Sequence, residues 1–298
     1  MSFSKKDYFL NEDAKNLIQK VVDTLRMGGR SETTIASYVS AISRFLKKFE
    51  NQDISNFDED IIMDYIKHNF INKQCCVDTY NVNICAIKYF YIVNFGKEFN
   101  NKLLPRAKRS KKLPSIIDKK LFIKILNEEK SIKHKCWLLL GYCSGLREEE
   151  VANIKISDIN SNEHELKVFG KGKKERITIL PNITIEYLRI YYKQQYCQKN
   201  NKRKNQSGYL FEGIDGAEHI HKKTICNYFT SIKKKYNLDS KITFHTLRHS
   251  FATNFIKAGG DPFVLKSMMG HSSISTTDIY IHMGRDFNNL KGVNYDGI

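Results

Sequence analysis

Apolar positions in the first hundred residues recur at steps of three and four. From Asp13 onward Ala14, Leu17, Ile18, Val21, Val22 and Leu25 form one stripe that stops at Gly28-Gly29, the pattern of an amphipathic helix ended by glycine. A second helix is predicted behind Ser31, a residue type that caps free backbone N–H groups, with Ile35, Tyr38, Val39, Ile42, Phe45, Leu46 and Phe49 as its stripe to about Glu50. Asp58-Glu59-Asp60 puts negative charge at the start of a third helix bearing Ile61, Ile62, Tyr65 and Ile66, where it complements the helix dipole. A fourth helix, predicted from roughly Val77 to Asn94, completes an all-α bundle of about a hundred residues.

The periodicity breaks between Pro105 and Pro114. The segment PRAKRSKKLP carries five basic residues and no acid, bracketed by the two residues that interrupt regular structure. The predicted organisation is a helical domain over 1–104, a basic linker over 105–114 and a second domain over 115–298. A solvated linker and one whose Arg106, Lys108, Arg109, Lys111 and Lys112 cross a DNA backbone both fit this composition. Past Pro114 helices are expected near 118–129, 134–143, 182–198, 221–236, 244–258 and 262–269. Among them, Leu166-Lys167-Val168-Phe169 and Arg176-Ile177-Thr178-Ile179 alternate across the turn GKGKKE, the pattern of a hairpin with lysines at its tip. The fold class is therefore mainly α with a small β-sheet: a helical bundle followed by an α+β domain.

Charge changes this picture more than length does. The 298 residues carry a formal net charge of +17, which implies a polyanionic partner, either nucleic acid or an anionic membrane surface. Some of that charge belongs to a Lys, Asn and Ile bias that an AT-rich coding genome produces equally well. The first residues lack a signal-peptide core, and no stretch reaches the ~18 consecutive apolar residues of a membrane span, so a soluble cytoplasmic protein is expected. Seven cysteines are odd in number and show no CxxC spacing; most fall at apolar positions of the predicted helices, and reduced, buried thiols are expected.

Five short segments of the second half hold basic or hydroxyl residues in unusual settings: GLREEE at 145–150, GKGKKER at 170–176, HTLRH at 245–249, MGHSS at 269–273, and Tyr280. Singly each has a bland reading. Gly145-Leu146-Arg147 fits a helix C-cap followed by a surface arginine, and the lysine turn fits solvated charge. His245 and His249 stand at i, i+4, but Thr246 occupies the place where the zinc-protease motif demands Glu and no third ligand lies nearby, so no metal site is expected. Nor is there a GxxxxGK[ST] phosphate loop, and no nucleotide is expected.

Taken together, in this order and spacing, the segments resemble the tyrosine recombinase (integrase) family, most closely its short Xer-like members, over essentially the whole chain. The family pattern falls here on Arg147 with Glu150, Lys171, His245 with Arg248, His271, and Tyr280, nine residues after that last histidine. Met269 stands where the family usually has Leu, Glu149 makes the arginine segment more acidic than usual, and Lys173 and Lys174 crowd the lysine turn. The resemblance implies a SAM-like core-binding domain ahead of the catalytic domain, the two closing on double-stranded DNA as a clamp. It implies a covalent chemistry in which Tyr280 attacks phosphorus and leaves a 3′-phosphotyrosyl link, with no cofactor.

In that chemistry Arg147 and Arg248 hold the phosphate charge, since a guanidinium stays protonated and offers paired donors. His245 assists the nucleophile, His271 donates to the phosphate and Lys171 protonates the leaving 5′ oxygen, with Glu150 in support and Lys173 on the DNA. The family acts as four protomers on two DNA sites, exchanging a carboxy-terminal segment for which Phe287, Leu290 and Val293 are the candidates here. Read as it stands, the chain begins directly with the bundle, which favours an Xer or simple mobile-element role over a lambda-type integrase. Two alternatives remain: a type IB topoisomerase that rejoins the original strand, and a DNA-binding protein without catalysis.

Overall fold

A computed structural model describes residues 12–50, 52–108, 114–170, 175–197, 207–213 and 217–270. The chain divides into two compact units, residues 1–111 and 112–298. In the first, α1 (Glu12–Met27), α2 (Glu32–Lys48), α3 (Glu59–Ile66) and α4 (Val77–Phe95) form the bundle. In its core the stripes read from the sequence for the first three helices, Ile18, Val21, Val22 and Leu25 of α1, Ile35, Ile42, Phe45 and Leu46 of α2, and Ile62 and Ile66 of α3, meet Ile84, Ile87 and Phe90 of α4, while Ile61 of the α3 stripe is exposed. The ends are fixed by local chemistry. Ser31 accepts from the Thr34 amide and Asp58 from the Ile61 amide, and Gly96 closes α4 in the left-handed conformation.

The second unit is organised around α6 (Ile132–Cys143), whose residues Cys136 to Cys143 are all buried. A helix apolar on every side belongs inside a domain. Helices α8 (Asn182–Tyr196) and α10 (Phe244–Lys257) pack on α6, and α5 (Lys119–Glu128) contributes Phe122, whose ring stacks on Tyr142 at 3.7 Å. The short α7 (Glu148–Ala152) lies against α9 (Lys222–Lys235), and α11 (Pro262–Met269) lies against α10 and the sheet.

That sheet has three antiparallel strands in the order β1 (Ile159–Asn160), β2 (Glu165–Phe169), β3 (Glu175–Ile179). Leu166 pairs with Thr178 and Val168 with Arg176, and all four face inward. The hairpin is where the alternation placed it, but its buried face carries a charge, and Ile177 points to solvent.

Of the α-helices and strands among the described residues, α7 and β1, five and two residues long, escaped the sequence reading. Both are too short for any period to register. The cysteines require a correction: only Cys136 and Cys143 are buried, whereas Cys75, Cys76 and Cys197 are exposed and Cys85 and Cys226 half-buried. Cys75 and Cys76 precede α4 and Cys197 follows α8, so they lie at helix ends rather than on apolar stripes. All seven are free thiols. No helix among the described residues is long and apolar enough to cross a membrane.

The turn from α6 into α7 depends on Gly145. Its φ is +69°, and a Cβ there would sit 2.4 Å from the Phe251 ring of α10. Gly145→Ala is expected to destabilise the second unit by about 2–4 kcal/mol, combining a left-handed backbone with overpacking, as measured by denaturant unfolding.

Candidate active site

The GLR segment is shaped so that its arginine begins a helix. Gly145 turns the chain out of α6, Leu146 is buried, and Arg147 in an extended conformation takes the N-cap position of α7. Three residues on, the Glu150 side chain reaches back and accepts from the Arg147 backbone N–H at 2.8 Å, the carboxylate half of a capping box. Gly145 does end α6, in the left-handed conformation one residue after the Ser144 cap, but Arg147 is more than a surface arginine. Its guanidinium also donates to Glu150 Oε1 at 2.8 Å while its side chain stays 37% exposed, enough to meet a ligand.

Glu150 itself is buried and surrounded by cations. Arg176 of β3 grips it with both terminal nitrogens, each 2.8 Å from a different carboxylate oxygen. Arg248 of α10 approaches Oε2 at 3.7 Å. Burial is the largest influence on this carboxyl and pushes its pKa up, but the hydrogen bonds and charge of Arg176, the charge of Arg248 and the Arg147 amide outweigh it and hold the group at about 2.

Arg248 is only 1% exposed, and its guanidinium donates to the carbonyl oxygens of Gly145 and Met269. The Nε of Arg176 donates to the Met268 carbonyl at 2.6 Å. Two arginines therefore cap the last turn of α11, where carbonyls lack helical partners and the dipole is negative. Met269, the departure from the family pattern, is buried and contributes that backbone oxygen. Glu149, the other departure, faces away and pairs with Lys222 of α9 at 3.2 Å.

His245 stands in the first turn of α10, one turn before His249, and the two rings meet edge to face at 4.7 Å. Burial foremost, then the charge of Arg248 and, to a lesser degree, that of Arg147 lower its pKa below the ordinary histidine value, with Glu148 and Glu150 opposing them. It is therefore neutral at pH 7 and able to accept a proton. Among the described residues no group of three or more His, Cys, Asp or Glu side chains is placed to hold a metal ion.

The structure thus brings Arg147, Glu150, His245 and Arg248 into one cluster. Lys171, Lys173, His271 and Tyr280 lie outside the described residues, as do Arg109, Lys111 and Lys112 and the tail with Phe287, Leu290 and Val293. Arg106 and Lys108 belong to the first unit and are exposed. The start of their segment is pinned to α4, since Tyr80 donates to the Pro105 carbonyl and Asn81 exchanges two hydrogen bonds with Ala107. Sequence reasoning missed Arg176. The available signal was its place in the hairpin, two residues before Thr178 on the face that carries Leu166 and Val168.

Two family models match, and they account for most of the chain: the phage integrase family over residues 117–285 and the phage integrase N-terminal SAM-like domain over 17–100. The chain belongs to the phage integrase family. Its relatives carry the name tyrosine recombinase, the class to which this integrase is thereby assigned. It is 30% identical over 269 residues to tyrosine recombinase XerD of Staphylococcus haemolyticus strain JCSC1435, covering 86% of this chain and 90% of that one. It is 28% identical over 267 residues to a tyrosine recombinase of Thermosipho africanus strain TCF52B, covering 85% and 89%.

Solved structures share the fold of this integrase at lower identity. A lambda integrase (75–356) dimer bound to a COC′ core site aligns with a TM-score of 0.71 at 17% identity, covering 94% of this chain and 98% of that one. The XerH site-specific recombinase bound to palindromic difH substrate in a post-cleavage complex aligns with a TM-score of 0.69 at 21% identity, covering 90% and 81%. The predicted class, a helical bundle followed by an α+β domain, is the one found.

Because the folded-state pKa of Glu150 is depressed from 4.5 to about 2, its contribution to stability is fully present above pH 4.5 and is lost as pH falls toward 2. Glu150→Gln is expected to lower stability at pH 7 and to flatten the acid dependence between about pH 4.5 and 2, read from urea midpoints across that range.

Proposed function

We propose that this integrase is a site-specific DNA recombinase that breaks and rejoins DNA through a 3′-phosphotyrosyl link to Tyr280. The observation that carries the reading is the cluster of Arg147 and Arg248 about one buried carboxylate with a neutral histidine beside them, inside a chain of this family. Negative charge grows on the non-bridging oxygens of a phosphodiester as a nucleophile adds, and fixed guanidinium groups stabilise it without reorganising. Arg147, partly exposed, and Arg248, fixed from behind, are assigned that task.

A phenol with an ordinary pKa of about 10 is a weak nucleophile at pH 7. His245, kept unprotonated by burial and by the neighbouring guanidiniums, is assigned to take the proton of Tyr280 as the Tyr280 oxygen bonds to phosphorus. The bond to the 5′ oxygen then breaks, and Lys171 is assigned to protonate it while His271 donates to the phosphate. The link conserves the energy of the broken bond, so attack by a 5′ hydroxyl reverses the step. When that hydroxyl comes from a second duplex, the outcome is recombination.

Double-stranded DNA, four protomers on two sites, exchange of the carboxy-terminal tail and a cytoplasmic location complete the reading. Arg106, Lys108, Arg109, Lys111, Lys112 and Lys173 are assigned to the DNA backbone. The net charge of +17 supports a polyanionic partner. Family membership and relatives named tyrosine recombinase favour partner exchange over topoisomerase-like relaxation.

The test is covalent capture. A nicked duplex selected for binding from a random-sequence pool, built so that the cleaved strand end diffuses away, should trap the wild-type chain and not Tyr280→Phe. An adduct of undiminished yield from Tyr280→Phe would refute the assignment. Two distinguishable duplexes in one reaction should give recombinant junctions, whereas relaxation alone would favour the topoisomerase alternative. The rate of adduct formation should fall as pH drops below His245's lowered pKa, itself under 6.5, and His245→Gln should remove that limb of the profile.

A further inference from the structure

Arg176 of β3 ties α7 to α11, and although it ends the GKGKKER segment that segment was read for its lysines alone. It is the second residue of β3, directly after the lysine turn, and it faces inward opposite Val168. One planar guanidinium donates to both oxygens of Glu150 and, through Nε, to the Met268 carbonyl, with its side chain 7% exposed. Gly270 closes α11 against it in the left-handed conformation, and a Cβ there would meet the Arg176 Cδ at 3.0 Å.

We infer that Arg176 is a positioning residue, which neutralises Glu150 so that Arg147 and Arg248 keep their charge for the scissile phosphate. The inference rests on the recombinase reading for its catalytic consequence. Its physical basis is the sharing of one carboxylate among three cations. Arg176 fills a lone pair on each oxygen, Arg147 adds a side-chain bond to one and a backbone bond to the other, and Arg248 stays at 3.7 Å with donors on two carbonyls. Take Arg176 away and the buried carboxylate is left short of two strong donors. Among the described residues the cations that remain within reach are Arg147 and Arg248, and whatever they give to Glu150 they withhold from a phosphate. Lysine is a poor replacement, since one ammonium cannot serve two carboxylate oxygens and a carbonyl in one plane.

The experiment compares Arg176→Met, Arg176→Lys, Glu150→Gln and the Arg176→Met/Glu150→Gln double variant in the intact chain. Two readouts are used: thermal unfolding, and adduct formation on the nicked, binding-selected duplex. Arg176→Lys, which keeps a charge beside Glu150, should stay folded at 25 °C, bind the duplex within about threefold of wild type and form adduct about tenfold or more slowly. Arg176→Met should lower Tm, and removing the orphaned carboxylate by adding Glu150→Gln should raise Tm again and recover about threefold or more in rate.

A merely structural arginine would not show this recovery, because the second substitution deletes still more contacts. Wild-type cleavage by Arg176→Lys, or a double variant less stable and slower than Arg176→Met, would overturn the inference. The stability half does not depend on the reaction. If no adduct forms with the wild-type chain while the stability coupling is present, the recombinase reading fails and the pairing of Arg176 with Glu150 stands.

Discussion

The catalytic unit is arranged around one buried negative charge. A carboxylate removed from water is costly unless its oxygens are satisfied and its charge is matched, and Glu150 meets both conditions with donors from α7, β3 and the Arg147 backbone. At about 4 Å and an effective dielectric near 20, each neighbouring cation contributes on the order of 4 kcal/mol of attraction before desolvation. Such a cluster adds little net stability over an apolar core of the same shape. What it adds is position: Arg147, Arg176 and Arg248 converge on one acid, and the surplus is positive. An anion is the ligand such a surplus favours.

The cluster stands at a junction that apolar packing alone would leave loose. Gly145 lets the chain pass under the Phe251 ring, the Thr178 hydroxyl donates to the Ser144 carbonyl, and Arg248 donates to Gly145 itself. The same arginines satisfy the carbonyls of Met268 and Met269 at the end of α11. A helix end is ordinarily finished by water or by one glycine motif. Here two guanidiniums join Gly270 in that role, tying the segment that precedes His271 to the arginines of α10 and β3.

How much of this was legible follows from how many residues each feature needs to announce itself. Helices of ten residues or more repeat their apolar period often enough to be read, and α1, α2, α4, α5, α8 and α10 lie within about two or three residues of where the spacing put them. The turn-long α7 offers no repeat at all. Its presence is written in chemistry instead, in a carboxylate three residues after Arg147. Alternation identified the hairpin but not its faces, because on β3 the apolar residue next to Arg176 is Ile177, which points outward. Which face is buried was decided by Leu166 and Val168 across the ladder, information held on another strand. The motifs marked Arg147, His245 and Arg248. That they meet at Glu150 is a fact of tertiary structure, joining α7 to α10 over nearly a hundred residues of chain.

In the proposed reaction one field would serve two tasks that otherwise conflict. A proton acceptor for a phenol must be unprotonated at neutral pH, while the phenol must lose its proton more readily than it does in water. Positive charge favours the anionic form of a phenol and disfavours the cationic form of an imidazole, so both requirements point to the same remedy. Arg248 and Arg147 lower the pKa of His245, adding to burial, and they are the groups assigned to the phosphate. A lysine in either place would be less suited, since its ammonium can titrate when buried beside other cations, and the field would weaken as the site dried. Permanently charged guanidiniums held on a shared carboxylate would keep that field constant as the phosphate of the proposed reaction approached.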